Sequence, residues 1–224
     1  MSDTTTIAPD DTPRLALIGD LIASRRLEDR AAVQEDLIRL LADCNSRYAG
    51  WLISPFRITL GDEFQGLASS GFPFSDFLFR INHALRPRVG VRLGLGLGRV
   101  TTSPSDVVSD LDGPCFHSAR DAVQDARDRQ ALLAVKSASG ERDSRWLQSS
   151  LVLIEGHLRQ FSLVRWQTAA LLLELKHPTE VARARGVTRQ SVEDVLKGAQ
   201  VHAVVAAIDA FSESIDRLLA GQFA

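Results

Sequence analysis

The stretch at residues 57–66 constrains the fold most, because it reads as two short apolar strands that reverse direction around one turn. Gly61 and Asp62 stand between these strands, and a Gly-Asp pair is typical of a tight chain reversal. An earlier Gly-Asp pair, Gly19-Asp20, follows another short apolar run. Both acids are therefore predicted at strand ends, and two such loops on neighbouring strands can bring the carboxylates of Asp20 and Asp62 together.

Two converging carboxylates allow two interpretations. Mg²⁺ binds oxygen ligands and often needs only one or two protein carboxylates together with the phosphate oxygens of a ligand. Under this interpretation Asp20 and Asp62 are metal ligands and the catalytic acids of a phosphate-handling site, where a second ion could activate a hydroxyl nucleophile. Under the other, each Gly-Asp dipeptide only serves a chain reversal.

Further positions extend the predicted phosphate site. The loop after the first acid carries Ser24 and Arg25, whose backbone amides and guanidinium could face an anion at the start of the next helix. Gly61 supplies a tight turn beside the second acid. Arg120, one turn inside the helix after Asp112-Gly113, could stabilise phosphate charge. The alternatives are a solvated basic loop for Arg25 and a surface ion pair for Arg120.

The order of apolar periods predicts an α+β fold. Period-two alternation indicates strands, and three- to four-residue spacing indicates amphipathic helices. The predicted elements are, in order, a strand at 14–18, a helix at 28–44, a hairpin at 57–60 and 64–68, a helix at 74–85, a strand at 89–98, a helix at 114–129 and a strand at 131–136. This order matches the ferredoxin-like βαββαβ arrangement with one more helix and strand, and it predicts helices on one face of a largely antiparallel sheet.

The predicted strand at 89–98 has an unusually bare face. Gly94, Gly96 and Gly98 alternate with larger apolar residues, so one side of the strand lacks side chains. Such a surface lets either a ligand or a tightly packed helix approach the backbone. The glycines do not form a dinucleotide fingerprint, because they alternate within a strand instead of opening a helix.

The chain divides into a predicted disordered leader at 1–12, an α+β domain at 13–138 and a helical domain at 145–224. Within the last, residues 179–197 predict a helix-turn-helix with a turn at Gly186 and a cap at Thr188. The exposed side of its second helix would contact DNA through four residues, Arg189, Gln190, Ser191 and Lys197. Residues 151–224 contain eight basic and eight acidic residues. The alternative is therefore a helical module that dimerises or packs on the first domain.

Composition narrows the functional classes. Apolar residues make up 45% of the 224 residues, which is ample for a packed core, and the formal net charge of -2 excludes a general attraction to nucleic acid or anionic membranes. Cys44 and Cys115 have no partner at metal-ligand spacing, and two cysteines favour a reduced compartment. No apolar run approaches the length of a membrane span. We expect a cytoplasmic protein without membrane interactions.

Four motifs together resemble the SatD family of bacterial proteins: Ile18-Gly19-Asp20-Leu21-Ile22-Ala23-Ser24-Arg25, Leu60-Gly61-Asp62-Glu63-Phe64-Gln65-Gly66, Gly94-Leu95-Gly96-Leu97-Gly98 and Asp112-Gly113-Pro114-Cys115-Phe116-His117-Ser118-Ala119-Arg120. With the terminal helix-turn-helix, this resemblance covers nearly the whole chain. It implies an architecture more than an activity.

At one remove, the first domain is similar to class III nucleotidyl cyclases and GGDEF-type diguanylate cyclases. In those families an acid after the first strand and an acid in the hairpin hold two metal ions, and the resemblance carries these roles to Asp20 and Asp62. The helix arginine that steadies phosphate corresponds to Arg120. Ile58 stands where cyclases have a purine-selecting lysine, and Phe116 stands where they have an asparagine. The resemblance therefore implies the metal-binding acids without the usual base-selecting and transition-state contacts.

These observations predict a bacterial regulatory protein of the SatD family that forms a homodimer. Its first domain would bind a nucleotide or phosphate ligand with Mg²⁺, and its helix-turn-helix would bind DNA or a partner protein. One alternative is an active nucleotidyl cyclase or transferase that uses the same acids. Another is a DNA-binding transcriptional regulator with an inert first domain.

Overall fold

The structure is a computed structural model that describes residues 12–24, 29–102 and 111–221. Most of the predicted leader, as well as Arg25, lies outside these residues. The elements are β1 (Arg14–Leu21), α1 (Arg30–Arg47), β2 (Leu52–Leu60), β3 (Glu63–Ala68), α2 (Phe74–Leu85), β4 (Val91–Gly98), α3 (Pro114–Asp128), β5 (Leu133–Ser137), α4 (Glu141–Leu158), α5 (Leu163–Leu175), α6 (Pro178–Arg185), α7 (Arg189–Gly198) and α8 (Val201–Leu219).

One five-stranded sheet with the order β2-β3-β1-β4-β5 organises the N-terminal part. β1 pairs antiparallel with both β3 and β4, whereas β4 and β5 are parallel. The first four strands and two helices thus follow the βαββαβ order, and α3 with β5 adds the predicted further helix and strand. The α+β prediction is confirmed.

The two faces of the sheet are covered by different helices. Period-two alternation along β1 sends Leu15 and Leu17 into the core shared with α1 and α2, and sends Ala16 and Ile18 into a smaller cluster beneath α3. The expectation of helices on one face was therefore incomplete. The glycine face of β4 is turned toward α3, so α3 covers the face of the sheet for which no helix was predicted.

The alternating glycines of β4 form the seat of α3. A β-carbon placed on Gly96 would lie 2.0 Å from the carbonyl oxygen of Cys115, and one on Gly94 would lie 2.5 Å from that of Ala119. Real side chains cannot approach backbone atoms so closely. Of the two interpretations of this strand face, the structure therefore shows the tightly packed helix, and the close contact fixes where the first half of α3 lies over the sheet.

The C-terminal helices share the larger core with α1 and α2. Trp166 of α5 packs against Phe79 of α2 at 5.2 Å between ring centroids, and the Arg86 guanidinium lies 4.5 Å from the same indole. The backbone N–H of Gly71 also donates to Asp216 of α8 at 2.8 Å. The helical part thus packs directly on the first domain, as one of the two expectations for it proposed.

Among the described residues, no single helix is long and apolar enough to cross a membrane; only α7 and α8 taken together, bent by 54°, reach that length and composition.

Candidate functional site

A pocket of about 600 Å³ lies where β1 ends, beside the turn between β2 and β3. Its lining comes from β1, the loop that follows, the hairpin turn, the start of β4 and the end of α3. The lining residues are Asp20, Leu21, Ala23, Ser24, Asp62, Arg92 and Arg127. The structure therefore brings three of the predicted site residues, Asp20, Ser24 and Asp62, into one pocket.

Strand register explains this convergence. Asp20 stands opposite Glu63 of β3 on one side and opposite Arg92 of β4 on the other. Asp62 directly precedes Glu63, so the hairpin turn lies beside the end of β1. Gly61 opens this two-residue turn with a φ of 62°, a backbone angle that glycine adopts without steric cost. Gly61 itself lines a second, much smaller cavity of about 10 Å³ that Asp62 and Ser24 also line.

Asp20 is held by two arginines. One carboxylate oxygen, Oδ2, accepts a hydrogen bond from Nη1 of Arg92 at 2.9 Å and from Nη2 of Arg127 at 3.0 Å. Asp20 is only 8% exposed, and Arg92 is equally buried while its Nε donates to the carbonyl of Ala131 at 3.2 Å. The charge of the first predicted metal ligand is thus already compensated inside the protein, where charges interact more strongly than in water.

Asp62 has different surroundings at the hairpin tip. Its side chain is half-buried and accepts a hydrogen bond from the hydroxyl of Ser24. The loop reaches this position through Ala23, whose φ of 56° lies in the left-handed region that non-glycine residues rarely adopt. One carboxylate and one hydroxyl, both hard oxygen donors, therefore meet at the pocket wall.

Arg120 lies elsewhere. It is exposed on α3, two helical turns before Arg127, and the pocket lining does not include it. The arginines that face the acids are Arg92 and Arg127, which sequence reasoning missed. Arg92 could have been noticed as a charged residue in the otherwise apolar strand β4. Arg127 could have been noticed because it follows Arg120 by seven residues, a spacing that places the two arginines on one face of the helix.

The donor set fits one metal ion better than two. Within the described ranges, no group of three or more His, Cys, Asp or Glu side chains could hold a metal ion by itself. Asp20 is engaged by two guanidiniums, which would repel a cation placed against the same oxygen. Asp62 and Ser24 are oxygen donors of the kind that Mg²⁺ accepts when ligand phosphates complete its coordination.

The predicted helix-turn-helix lies in α6 and α7. Gly186 ends α6 with a φ of 64°, and the hydroxyl of Thr188 caps α7 by accepting from the backbone N–H of Ser191 at 3.1 Å. The four predicted DNA-contacting residues, Arg189, Gln190, Ser191 and Lys197, are all exposed. Two of them are tied to acids one turn later: Arg189 pairs with Glu193 at 2.7 Å, and Gln190 donates to Asp194 at 2.9 Å.

A family model for the SatD family matches residues 14–159. The chain belongs to the SatD family. The SatD match includes every residue that lines the pocket and ends in the turn after α4, so α6 and α7 lie beyond it. The pocket therefore lies within the part of the chain that the SatD model matches, and α6 and α7 lie outside that part.

The comparisons with solved structures and curated proteins are less informative about this chain. Sixteen chains of solved structures match it. One is a bacterial light-regulated adenylyl cyclase, with 13% sequence identity and a TM-score of 0.45, over 57% of this chain and 77% of that chain. A likeness of this size carries no conclusion about activity. No curated protein sequence matches the chain significantly.

Proposed function

We propose that this SatD-family protein is a regulator that binds a phosphate-bearing ligand, such as a nucleotide, in the pocket beside β1. The observation that supports the proposal most is the composition of the pocket wall, which combines two arginines, a hydroxyl and two carboxylates. Guanidinium groups bind phosphate oxygens in a fixed planar geometry and are the usual choice for phosphate recognition. The helix-turn-helix would bind DNA or a partner protein in a way that depends on whether the pocket holds its ligand.

The arginines of the pocket would bind phosphate, and its oxygen donors would bind Mg²⁺. Arg127, whose side chain is 50% exposed, is the most accessible cation, whereas the side chain of Arg92 is only 10% exposed and is anchored to Ala131. Mg²⁺, when bound with the ligand, would be held by Asp62 and Ser24 together with phosphate oxygens, and it would neutralise phosphate charge. Dimer formation stays part of the proposal and is checked by sedimentation of the free and ligand-bound protein.

Calorimetry with a panel of nucleotides, with and without Mg²⁺, tests the ligand proposal. Arg127→Gln should weaken binding about tenfold or more, because a charge-assisted hydrogen bond contributes about 1.5–3 kcal/mol. Arg129→Gln is the matched control: Arg129 is two residues further on and pairs with Asp125 at 2.7 Å. Asp62→Asn should remove only the Mg²⁺-dependent part of the affinity. Equal affinities of the wild type and Arg127→Gln, or no binding of any nucleotide, would remove the proposal.

A second candidate function is a DNA-binding regulator whose first domain is inert. It is favoured by the compensated charge of Asp20 together with the exposed face of α7. Residues 178–198 carry four basic and three acidic side chains, so attraction to phosphates would be weak and sensitive to salt. This function predicts DNA binding that is lost on Arg189→Ala and unchanged by any nucleotide, as measured by fluorescence anisotropy at several salt concentrations. Nucleotide-dependent DNA binding would instead favour the first proposal.

The nucleotidyl cyclase alternative gains no specific support from the pocket, because Arg120 lies outside its lining and Asp20 is paired with arginines. Release of pyrophosphate from each nucleoside triphosphate, measured with Mg²⁺ and with Mn²⁺, tests it directly. Turnover that is lost in Asp62→Asn would restore this alternative.

A further inference from the structure

We propose that Asp20 occupies a phosphate-binding position formed by Arg92 and Arg127, and that a phosphate group binds there without a metal ion by displacing the Asp20 carboxylate. This inference rests on the proposed function, since it concerns the same pocket. It reverses the role that the cyclase resemblance implies for Asp20. Instead of helping a ligand by holding a cation, this acid would compete with the ligand for two guanidiniums.

The convergence of the two arginines carries the inference. They come from different elements, β4 and α3, and both donate to the same oxygen of Asp20, at 2.9 and 3.0 Å. Two guanidiniums repel each other, and an anion between them compensates both charges, most of all that of the buried Arg92. That anion is a carboxylate here. A phosphate group has more acceptor oxygens and more charge, and it can satisfy both arginines at once.

The two arginines differ in exposure and anchoring, and this difference supports the exchange. Arg92 is almost fully buried, and its Nε is held by the carbonyl of Ala131, so it would remain in place. Arg127 lies at the end of α3 with half of its side chain exposed, and its guanidinium also donates to the side-chain oxygen of Gln124 at 3.2 Å. Turning Arg127 toward the open pocket would let a phosphate enter while Arg92 anchors it.

Competition between Asp20 and the ligand predicts whether loss of the Asp20 charge strengthens or weakens phosphate binding. A ligand that takes the arginines leaves Asp20 in a site that is only 8% exposed, and a buried carboxylate without a partner is unfavourable. Part of the binding free energy is therefore used to displace Asp20 in the wild type. Neutralising this acid should strengthen phosphate binding, whereas neutralising a metal ligand would weaken it.

The test is calorimetric titration of inorganic pyrophosphate in the presence of EDTA, with wild type and Asp20→Asn. We expect the variant to bind about tenfold more tightly or better, and the double variant Asp20→Asn/Arg127→Gln to lose this gain. Asp76→Asn is the matched control, because Asp76 also accepts from an arginine, Arg47, at 2.7 Å and lies outside the pocket. It should bind pyrophosphate as the wild type does. An Asp20→Asn variant that binds no more tightly than the wild type would overturn the inference.

A parallel titration with Mg²⁺ separates this inference from the proposed function. If the wild type binds nucleotides only with Mg²⁺ and Asp20→Asn abolishes that binding, the proposed function stands and the competition model is wrong. If neither protein binds any phosphate compound, both fail.

Thermal unfolding covers the case in which Asp20→Asn folds poorly. Pyrophosphate should raise the Tm of this variant more than that of the wild type or Asp76→Asn, because the added anion replaces the missing carboxylate. If Asp20→Asn shows no cooperative transition by itself, refolding in pyrophosphate should restore one. A variant that stays unfolded in pyrophosphate would count against the inference.

Discussion

Two arginine–carboxylate clusters in this protein have the same chemistry and opposite surroundings. In the pocket, Arg92 and Asp20 are 2.9 Å apart with side chains that are 10% and 12% exposed. On α7, Arg189 and Glu193 are even closer, at 2.7 Å, but their side chains are 66% and 41% exposed. Distance alone would rank the second pair as the stronger one. Burial reverses this order, because water and salt screen the α7 pair and barely reach the pocket pair.

The two candidate binding surfaces therefore differ in the free energy needed to release an arginine from its carboxylate partner. An exposed pair contributes little, so Arg189 can leave Glu193 for a phosphate or a base edge at almost no cost. Arg92 cannot leave Asp20 without exposing a buried charge, so a ligand in the pocket must supply a replacement anion. Under the proposed functions, the α7 surface would accept polyanions in general, whereas the pocket would discriminate among anions by how well they substitute for a carboxylate.

The largest expected effect is that of Arg92→Ala. Removing Arg92 leaves the buried Asp20 carboxylate with only the half-exposed Arg127 as its partner. Breaking a buried ion pair typically costs about 3–5 kcal/mol, and we expect a loss approaching that size in the free energy of unfolding. Urea unfolding measures it, with Arg189→Ala as the exposed counterpart. A loss below about 1 kcal/mol would mean that burial does not distinguish the two clusters.

Gly96→Ala tests the close packing of α3, the helix that carries Arg127, on the sheet. The new methyl group would collide with backbone atoms of Cys115 and Ala119, so we expect a destabilisation of about 1–3 kcal/mol and looser packing of the first half of this helix. Gly156→Ala, on α4, is the matched control, because a β-carbon at Gly156 would have no other atom within 4 Å. It should stabilise the protein by about 0.5–1 kcal/mol through helix propensity. Equal effects of the two substitutions would contradict the packing argument.

Arg127→Gln separates the two arginines within the pocket. Half of this side chain is exposed, so its loss should cost only about 1 kcal/mol of unfolding free energy, well below the cost of Arg92→Ala. Urea unfolding of both variants gives the ratio. A cost equal to that of Arg92→Ala would show that Arg127 is fixed, and the proposed exchange of its partner would then be too expensive.

Glu193→Gln tests the exposed cluster. We expect a change of less than about 0.5 kcal/mol in the free energy of unfolding at low salt and none at high salt, since the pair is screened. If α7 contacts DNA, the same change should increase affinity for duplex DNA, because it removes a negative charge beside the phosphates and releases Arg189. Anisotropy measurements with Asp209→Asn, on α8, provide the control for net charge.

The smallest effect concerns pH and lies outside both clusters. Burial lowers the pKa of His83 below its ordinary value of 6.5; Glu174 opposes this shift and Arg80 adds to it. His83 is therefore protonated more readily in the unfolded chain than in the folded protein. The stability that comes from burying the neutral His83 is fully present above pH 6.5, and it is lost as the pH falls toward the lower pKa of the folded state. His83→Gln should make the decline of stability below pH 6.5 shallower. An unchanged slope in urea unfolding across this range would contradict the assignment.

Sequence reasoning worked best where the signal is local. Period-two and helical spacing indicated the element order, and the strand at 89–98 and the helix at 74–85 correspond closely to β4 and α2. The site was predicted less completely. The Gly61-Asp62 pair marks the hairpin turn as predicted, whereas Gly19-Asp20 lies within β1 and is paired on both sides, so it is not a chain reversal. Asp20, Ser24 and Asp62 share a pocket because the end of β1 lies beside that turn. Arg92 and Arg127 are 72 and 107 residues from Asp20, and no local pattern joins them to it.

The amino-acid sequence by itself determined the elements and their types, because apolar period, glycine turns and helix caps act over a few residues. It also determined that acids stand at two strand ends. Only the tertiary structure decided what those acids meet. The sheet register placed Arg92 opposite Asp20, and the glycine seat of β4 let α3 approach closely enough to bring in Arg127. A carboxylate at a strand end can be a metal ligand or the partner of an arginine, and the charge placed beside it by distant parts of the chain decides between them.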